Sequence, residues 1–274
     1  MSSILLLGLF LVFAIFCVEG FDGTFRIKQG NLAKRGQFPH QVALLNPIIF
    51  KCGGSLIDST TIVTAAHCFK DDKDASRWRV IAGDTDLRRI AYSSRVIIKA
   101  DNSHIYNITK ITVHPGYKRG ESWSSGNDIA ILKIDRRIDP MIPARPVALP
   151  MDKDDNSPDD TLCVASGYGA TGGAWDKANG RYLYYTQVMT ADSSVCYYAY
   201  KMKYPIRANN VCILGSPGNI CSGDSGGGII CPHGDQQVLE GIVSWAATCS
   251  QAVDAPSVLT RVSHFLDWIE ENRA

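Results

Sequence analysis

Gly223-Asp224-Ser225-Gly226-Gly227 is the stretch from which the rest of the chain is best read. A serine hydroxyl is a weak nucleophile at neutral pH and gains reactivity when a base within hydrogen-bond reach takes its proton. Glycines on both sides of Ser225 let the backbone bend tightly and turn its N–H groups toward a developing oxyanion. The base best suited to that task is a histidine whose tautomer is fixed by a buried carboxylate. Two upstream segments supply the pair: Thr64-Ala65-Ala66-His67-Cys68 and Asn127-Asp128-Ile129-Ala130-Ile131-Leu132. Taken singly, each reads as structure: a core histidine, an aspartate in a turn, a glycine loop. Together, in the order His67, Asp128, Ser225, they point to an activated serine.

The surrounding composition narrows the class. The chain has 274 residues, 45% hydrophobic and 20% charged, which excludes a disordered or collagenous polymer. A formal charge of +1 leaves no basic surplus to drive nucleic-acid binding. The uncharged run Ile4 to Val18 fits a secretory signal over residues 1–20, although Met1-Ser2-Ser3 carries no Lys or Arg. It falls short of the roughly 20 apolar residues that span a bilayer. Loss of that segment removes Cys17, so nine cysteines become 9 − 1 = 8: Cys52, Cys68, Cys163, Cys196, Cys212, Cys221, Cys231 and Cys249. An even count in a secreted chain reads as disulfides, with the pairing left open by the count alone. No Cys-x-x-Cys spacing suggests zinc.

Short runs rich in Val, Ile, Leu and Tyr recur between turn residues: Gln41 to Leu45, Thr61 to Thr64, Arg79 to Ala82, Val96 to Ala100 and Ile129 to Ile134. The texture resumes at Leu162 to Ser166, Leu183 to Met189, Gly228 to Cys231, Val238 to Ser244 and Ser257 to Thr260. Many short strands with glycine turns predict an all-β sandwich or barrel. Val262, Phe265, Leu266 and Ile269 follow a helical period and predict a C-terminal helix. Four prolines between Asp135 and Pro150 predict an extended crossing between two strand-rich units. The acidic stretch Asp152 to Asp160 reads as a solvated loop, and Asn107-Ile108-Thr109 as a glycosylation sequon on a surface turn.

From residue 27 to the C-terminal helix the chain resembles the chymotrypsin-like serine endopeptidases. Besides the three segments above, the likeness rests on Cys52-Gly53-Gly54-Ser55-Leu56, Ser166-Gly167-Tyr168-Gly169, Val243-Ser244-Trp245 and Pro256-Ser257-Val258-Leu259-Thr260-Arg261-Val262. The resemblance implies two packed antiparallel β-barrels with a C-terminal helix: an N-terminal barrel over residues 27–140 and a C-terminal barrel over 141–274. It implies Ser225 as nucleophile, His67 as base and then acid, Asp128 as the residue orienting His67, and an oxyanion hole from the N–H groups of Gly223 and Ser225. It pairs Cys52 with Cys68, Cys163 with Cys231, Cys196 with Cys212, and Cys221 with Cys249.

Arg26-Ile27-Lys28-Gln29-Gly30 resembles the family's activation junction, with residues 21–26 as a propeptide and the freed Ile27 ammonium pairing with Asp224. Lys28 and Gln29 depart from the usual valine and glycine. By the same likeness, the pocket for the side chain before the scissile bond is built by Asn219, Ile220, Ser244, Trp245, Ala246 and Ser257. Asn219 stands where trypsin-like members carry aspartate, while Ile220, Ala246 and Ser257 take up volume. Small to medium apolar side chains are therefore expected there, and activation of Arg26-Ile27 requires another, trypsin-like protease. No cofactor and no metal are expected; Asp84 has no acidic partner at Ser93 or Ser94 for a calcium loop. Expected partners are protein or peptide substrates, that activating protease and protein inhibitors, with no nucleic acid, no membrane and a monomeric chain. The competing reading is a secreted protease-like binding or regulatory protein with little turnover. An esterase of the Gly-x-Ser-x-Gly type is disfavoured by the residue order.

Overall fold

The computed structural model describes residues 30–87, 91–93, 96–98, 104–119, 126–169, 182–215, 219–246 and 256–273. In chain order the strands are β1 (Asn31–Leu32), β2 (Gln41–Leu45), β3 (Phe50–Leu56), β4 (Thr61–Thr64), β5 (Arg79–Ala82), β6 (Ala91–Ser93), β7 (Val96–Ile98), β8 (Ile105–Val113) and β9 (Ala130–Ile134). They continue as β10 (Leu162–Gly167), β11 (Tyr184–Ala191), β12 (Asn210–Gly215), β13 (Gly228–His233), β14 (Gln236–Ala246) and β15 (Ser257–Arg261). Among the described residues two α-helices accompany them, α1 (Ser193–Ala199) and the C-terminal α2 (Leu266–Arg273).

Two six-stranded antiparallel barrels result. The first closes in the order β2-β3-β4-β9-β8-β5, and the second in the order β10-β13-β14-β15-β12-β11. Strand β1 pairs with β11, so a segment preceding the first barrel is stitched to the second. The first barrel fills with Val42, Leu44, Leu56, Ile62, Trp78 and Leu132, and the second with Val188, Val211, Ile213, Ile229, Val243 and Leu259. A third cluster joins them: Val63 and Ile131 from the first barrel meet Leu239 and Ile242 from the second, with Phe265 and Ile269 packed onto the seam. The C-terminal apolar period therefore serves the inter-barrel contact. The helix itself starts later than the period, after a short 3-10 turn at Ser263–Phe265.

Residues 135–150 carry no strand and cross between the barrels, meeting the second through the isolated bridge of Ala148 with Val238 and through Val147, which packs with Ile230 and Leu239. Two expectations change. The acidic stretch is anchored as well as solvated: Asp155 Oδ1 lies 2.8 Å from His233 Nδ1, and Asn156 Oδ1 accepts from Arg261 and Ser263. Buried Glu240 completes that network, accepting from Ser157 at 2.9 Å and lying 3.2 Å from Arg261. The Asn107 sequon lies in strand β8, not in a turn; its exposed amide donates to Asp135 at 2.6 Å. The Asp135 backbone N–H donates to the Asn107 carbonyl at 2.9 Å, and the Asn107 N–H donates to Asp135 Oδ1 at 3.2 Å.

Candidate active site

His67 sits in the 3-10 turn Ala66–Phe69 that follows β4, and Asp128 sits just before β9, the strand paired with β4. Antiparallel pairing thus brings two residues 61 positions apart side by side. Asp128 is fully buried, and its Oδ2 lies 2.7 Å from His67 Nδ1. A carboxylate is acceptor only, so the proton belongs to Nδ1 and the Nε2 lone pair is left for a donor. The same carboxylate accepts from the His67 backbone N–H at 2.8 Å and from Ser244 Oγ at 2.6 Å. Thr260 Oγ1 donates to the Asp128 carbonyl at 3.0 Å. The hydroxyl of Ser244, a residue expected on the substrate wall, turns to the carboxylate that holds His67.

Ser225 occupies the turn leading into β13, and with His67 it lines one cavity between the barrels. The turn is held from both sides: Gly53 of β3 donates to the Ser225 carbonyl at 2.8 Å, and Gly226 donates to Val243 at 2.9 Å. Gly226 has φ +77°, and a Cβ there would run into Thr64 Oγ1 and the Gly53 carbonyl, so no other residue fits. The backbone accounting is informative. Asp224, Gly226 and Gly227 each donate to a carbonyl, at 3.0, 2.9 and 2.9 Å. Among the described residues, the N–H groups of Gly223 and Ser225 find no acceptor. Gly223, at φ +98°, adopts the backbone that leaves this pair unclaimed.

Asp224 turns away from the cavity into the interior. Its carboxylate accepts from Gly169 and Cys221 backbone N–H groups, each at 2.9 Å. Burial pushes its pKa up to about 6 against the pull of those two bonds. Glycine at 167 and at 169 is obligatory, because a Cβ at either would occupy the Asp224 carboxylate. Arg26 and Ile27, the proposed activation junction, lie outside the described residues.

Of the six residues expected around the acyl-side pocket, Asn219, Ile220 and Ser257 are joined by hydrogen bonds, and Trp245 and Ala246 lie on the strand paired with Ser257. Asn219 is buried, and its Oδ1 accepts from Ser257 Oγ at 3.2 Å and from the Ile220 N–H at 2.9 Å. Ser257 pairs across the sheet with Ala246, and Val258 with Trp245. Tyr200 and Tyr204 brace Trp245 from behind, with ring centroids 4.8 and 5.6 Å away. Cys52–Cys68 borders the cavity, Cys163–Cys231 lies in the core of the second barrel, and Cys196–Cys212 ties α1 to β12. Cys221 is also disulfide-bonded, and Cys249 lies outside the described residues. Ligand atoms of Cys52, Cys68 and His67 lie within 4.8 Å of one another, but both sulfurs are spent in their bond.

The family model described as Trypsin matches residues 27–269. The chain belongs to the trypsin family of serine-type endopeptidases. Rat serine protease 1 is 32% identical over 280 residues, an alignment covering all of this chain and 99% of that protein. Chicken urokinase-type plasminogen activator is 31% identical over 93% of this chain, and ovochymase of Halocynthia roretzi 32% over 90%. The alignments span 59% and 15% of the length of those two relatives. Among the described residues of this trypsin-family chain, no helix is long and apolar enough to cross a membrane.

Three residues of the quoted motifs make contacts at the site that the motifs do not announce. Ser244 and Thr260 were quoted as parts of motifs, yet their bonds to Asp128 arise only when β14 and β15 pack against the first barrel. Gly53, one residue of the Cys52-Gly53-Gly54-Ser55-Leu56 motif, donates to the Ser225 carbonyl.

Proposed function

We propose that this chain is a secreted endopeptidase, made as a zymogen, that hydrolyses peptide bonds after small to medium apolar side chains. The observation that carries the reading is the combination around Ser225: a histidine whose Nδ1 is committed to a buried carboxylate, and two unclaimed N–H groups on the nucleophile's own turn. In the proposed cycle, Ser225 Oγ attacks the substrate carbonyl carbon while His67 Nε2 takes its proton. The N–H groups of Gly223 and Ser225 hold the negative oxygen, and Asp128 stabilises the imidazolium. His67 then protonates the departing amine, the C–N bond breaks, and water repeats the sequence on the acyl-enzyme.

Support for the acyl-side preference comes from the Asn219–Ser257 pair, a neutral floor that offers no carboxylate to Lys or Arg. Ile220, Ala246 and Ser257 each add atoms to the walls. Discrimination per methylene is modest, about 1 to 3 kcal/mol, so the preference is broad. Zymogen control is supported by Asp224, a buried carboxylate that a freed Ile27 ammonium would neutralise. The even set of eight cysteines and the apolar leader support secretion, and the exposure of Asn107 is compatible with a glycan.

The test is active-site titration with a serine-directed phosphonate after trypsin treatment, followed by profiling on a peptide library. Stoichiometric labelling of Ser225, with cleavage after Ala, Val, Leu or similar residues, is expected. An activated chain that does not label is a protease-like binder, and cleavage after Lys or Arg overturns the pocket assignment.

A further inference from the structure

The cavity that holds Ser225 and His67 measures about 610 Å³, far more than a nucleophile and its base require. It runs along the Cys52–Cys68 disulfide on the outside of the first barrel, and none of the six acyl-side residues lines it. His67 must hand its proton to the departing amine, so the substrate residues after the scissile bond lie on His67's side of Ser225. The cavity is therefore the leaving-group side of the cleft. This inference rests on the peptidase reading given above.

The charge balance of this wall is uneven. Its two carboxylates are already matched. Asp71 lies 2.7 Å from Arg119, and Asp72 accepts from Asn46 at 2.9 Å and lies 3.0 Å from Arg77. The Asn46 amide, the Asp74 backbone N–H and then Arg77 hold Asp72 below the usual carboxylate range, so it stays ionised and paired. Lys51 and Lys70 line the same cavity, are exposed, and have no ion-pair partner among the described residues. They face each other's neighbourhood across the disulfide, Lys51 next to Cys52 and Lys70 two residues beyond Cys68. Among the described residues, a bound peptide leaving through this cavity meets two uncompensated positive charges and no free negative one.

We infer that the enzyme selects substrates with Asp or Glu in the first positions after the scissile bond, and that Lys51 and Lys70 are the residues that select them. The contribution is electrostatic and partly exposed, so it favours acidic over basic residues several-fold and weakens with salt.

The experiment uses the activated full chain and internally quenched peptides identical up to the scissile bond, with Glu-Glu, Gln-Gln or Lys-Lys after it. At low salt, kcat/KM for the Glu-Glu peptide should exceed that for the Lys-Lys peptide by about five- to tenfold, with the Gln-Gln peptide between them. Adding salt to about 0.5 M should shrink that ratio toward one. The K51Q/K70Q double variant should bring the ratio near one at low salt, a within-enzyme comparison that does not depend on absolute activity. A wild-type ratio near one, or a ratio the double variant leaves intact, overturns the inference. A chromogenic anilide with the same acyl side has no residue after the scissile bond and separates the two levels. Hydrolysis of the anilide alongside a Glu-Glu to Lys-Lys ratio near one on the peptides sinks this inference alone, whereas an anilide left intact sinks the peptidase reading beneath it.

Discussion

Gly228 follows the Gly226-Gly227 pair, and its place in the fold gives its missing side chain a physical cause. A Cβ at residue 228 would run into Ser55 Oγ and the Leu239 side chain, and the residue pairs with Ile242 at the start of β13. Gly228→Ala should therefore destabilise the chain by about 1 to 3 kcal/mol, read from urea unfolding, as overpacking of a filled site does. A change of less than about 0.5 kcal/mol would show that Ser55 and Leu239 yield without cost. At Ser244, loss of a hydrogen bond to a buried carboxylate is worth about 1.5 kcal/mol, so Ser244→Ala should lower kcat about tenfold with KM little changed. Equal losses in binding and turnover would place that hydroxyl with substrate instead of with Asp128. Asp224 carries a pH signature. Burial raises its pKa from 3.8 to about 6, so the folded chain binds that proton more tightly than the unfolded chain. Its contribution is fully present below pH 3.8 and is lost as pH rises through 6, wherever no cation meets the carboxylate. In an uncleavable Arg26→Ala precursor, Asp224→Asn should remove a downward slope in stability between pH 4 and 6 of at most about 1.4 kcal/mol per pH unit. Urea melts at several pH values read this directly, and identical slopes in both proteins would mean that a cation already sits beside Asp224.

Among the elements, α1 shows how a small piece of structure serves a distant wall. The Cys196–Cys212 disulfide joins this helix to β12, closing a separation of 16 residues, and Tyr200 just past the helix packs on Trp245. Replacing both cysteines by alanine should cost about 3 kcal/mol of stability by the loop-closure argument. The same change should relax discrimination among acyl-side residues while leaving phosphonate labelling of Ser225 intact, because Trp245 loses its brace and the nucleophile does not. Helix α1 also marks the limit of what periodicity reveals: Val195, Tyr197 and Tyr198 are exposed, so no apolar stripe announces it. Strands β2, β4, β5 and β9 were legible because Val, Ile and Leu dominate them. Strand β3 was not, since Cys52-Gly53-Gly54 has low strand propensity. Packing decides it: a Cβ at Gly54 would press on Ile62 and Val42, and one at Gly53 on Gly227. At the site, His67, Asp128 and Ser225 stood out because their neighbours form motifs. The bonds of Ser244, Thr260 and Gly53 were hidden because they cross between barrels and leave no local pattern.

On the scale of the whole molecule, the two barrels meet along one apolar seam, and the residues that converge near Ser225 come from both. Catalysis should therefore vanish with loss of the inter-barrel contact, well before either barrel unfolds completely. Phe265→Ala, which empties part of the seam, should lower stability by about 3 to 5 kcal/mol. In partial urea, activity should then disappear ahead of the circular-dichroism signal of the strands; coincident loss would mean that the barrels unfold as one unit. The closure of those barrels has a further consequence, for the enzyme's own survival. A cleft that accepts extended peptide is a hazard to any protein with strands on offer, including a second copy of itself. Each strand of these rings has both edges paired, so none can be drawn into a neighbour's cleft without breaking a ring. Self-digestion at high concentration should thus nick turns such as the exposed stretch near Met151 and spare every barrel strand.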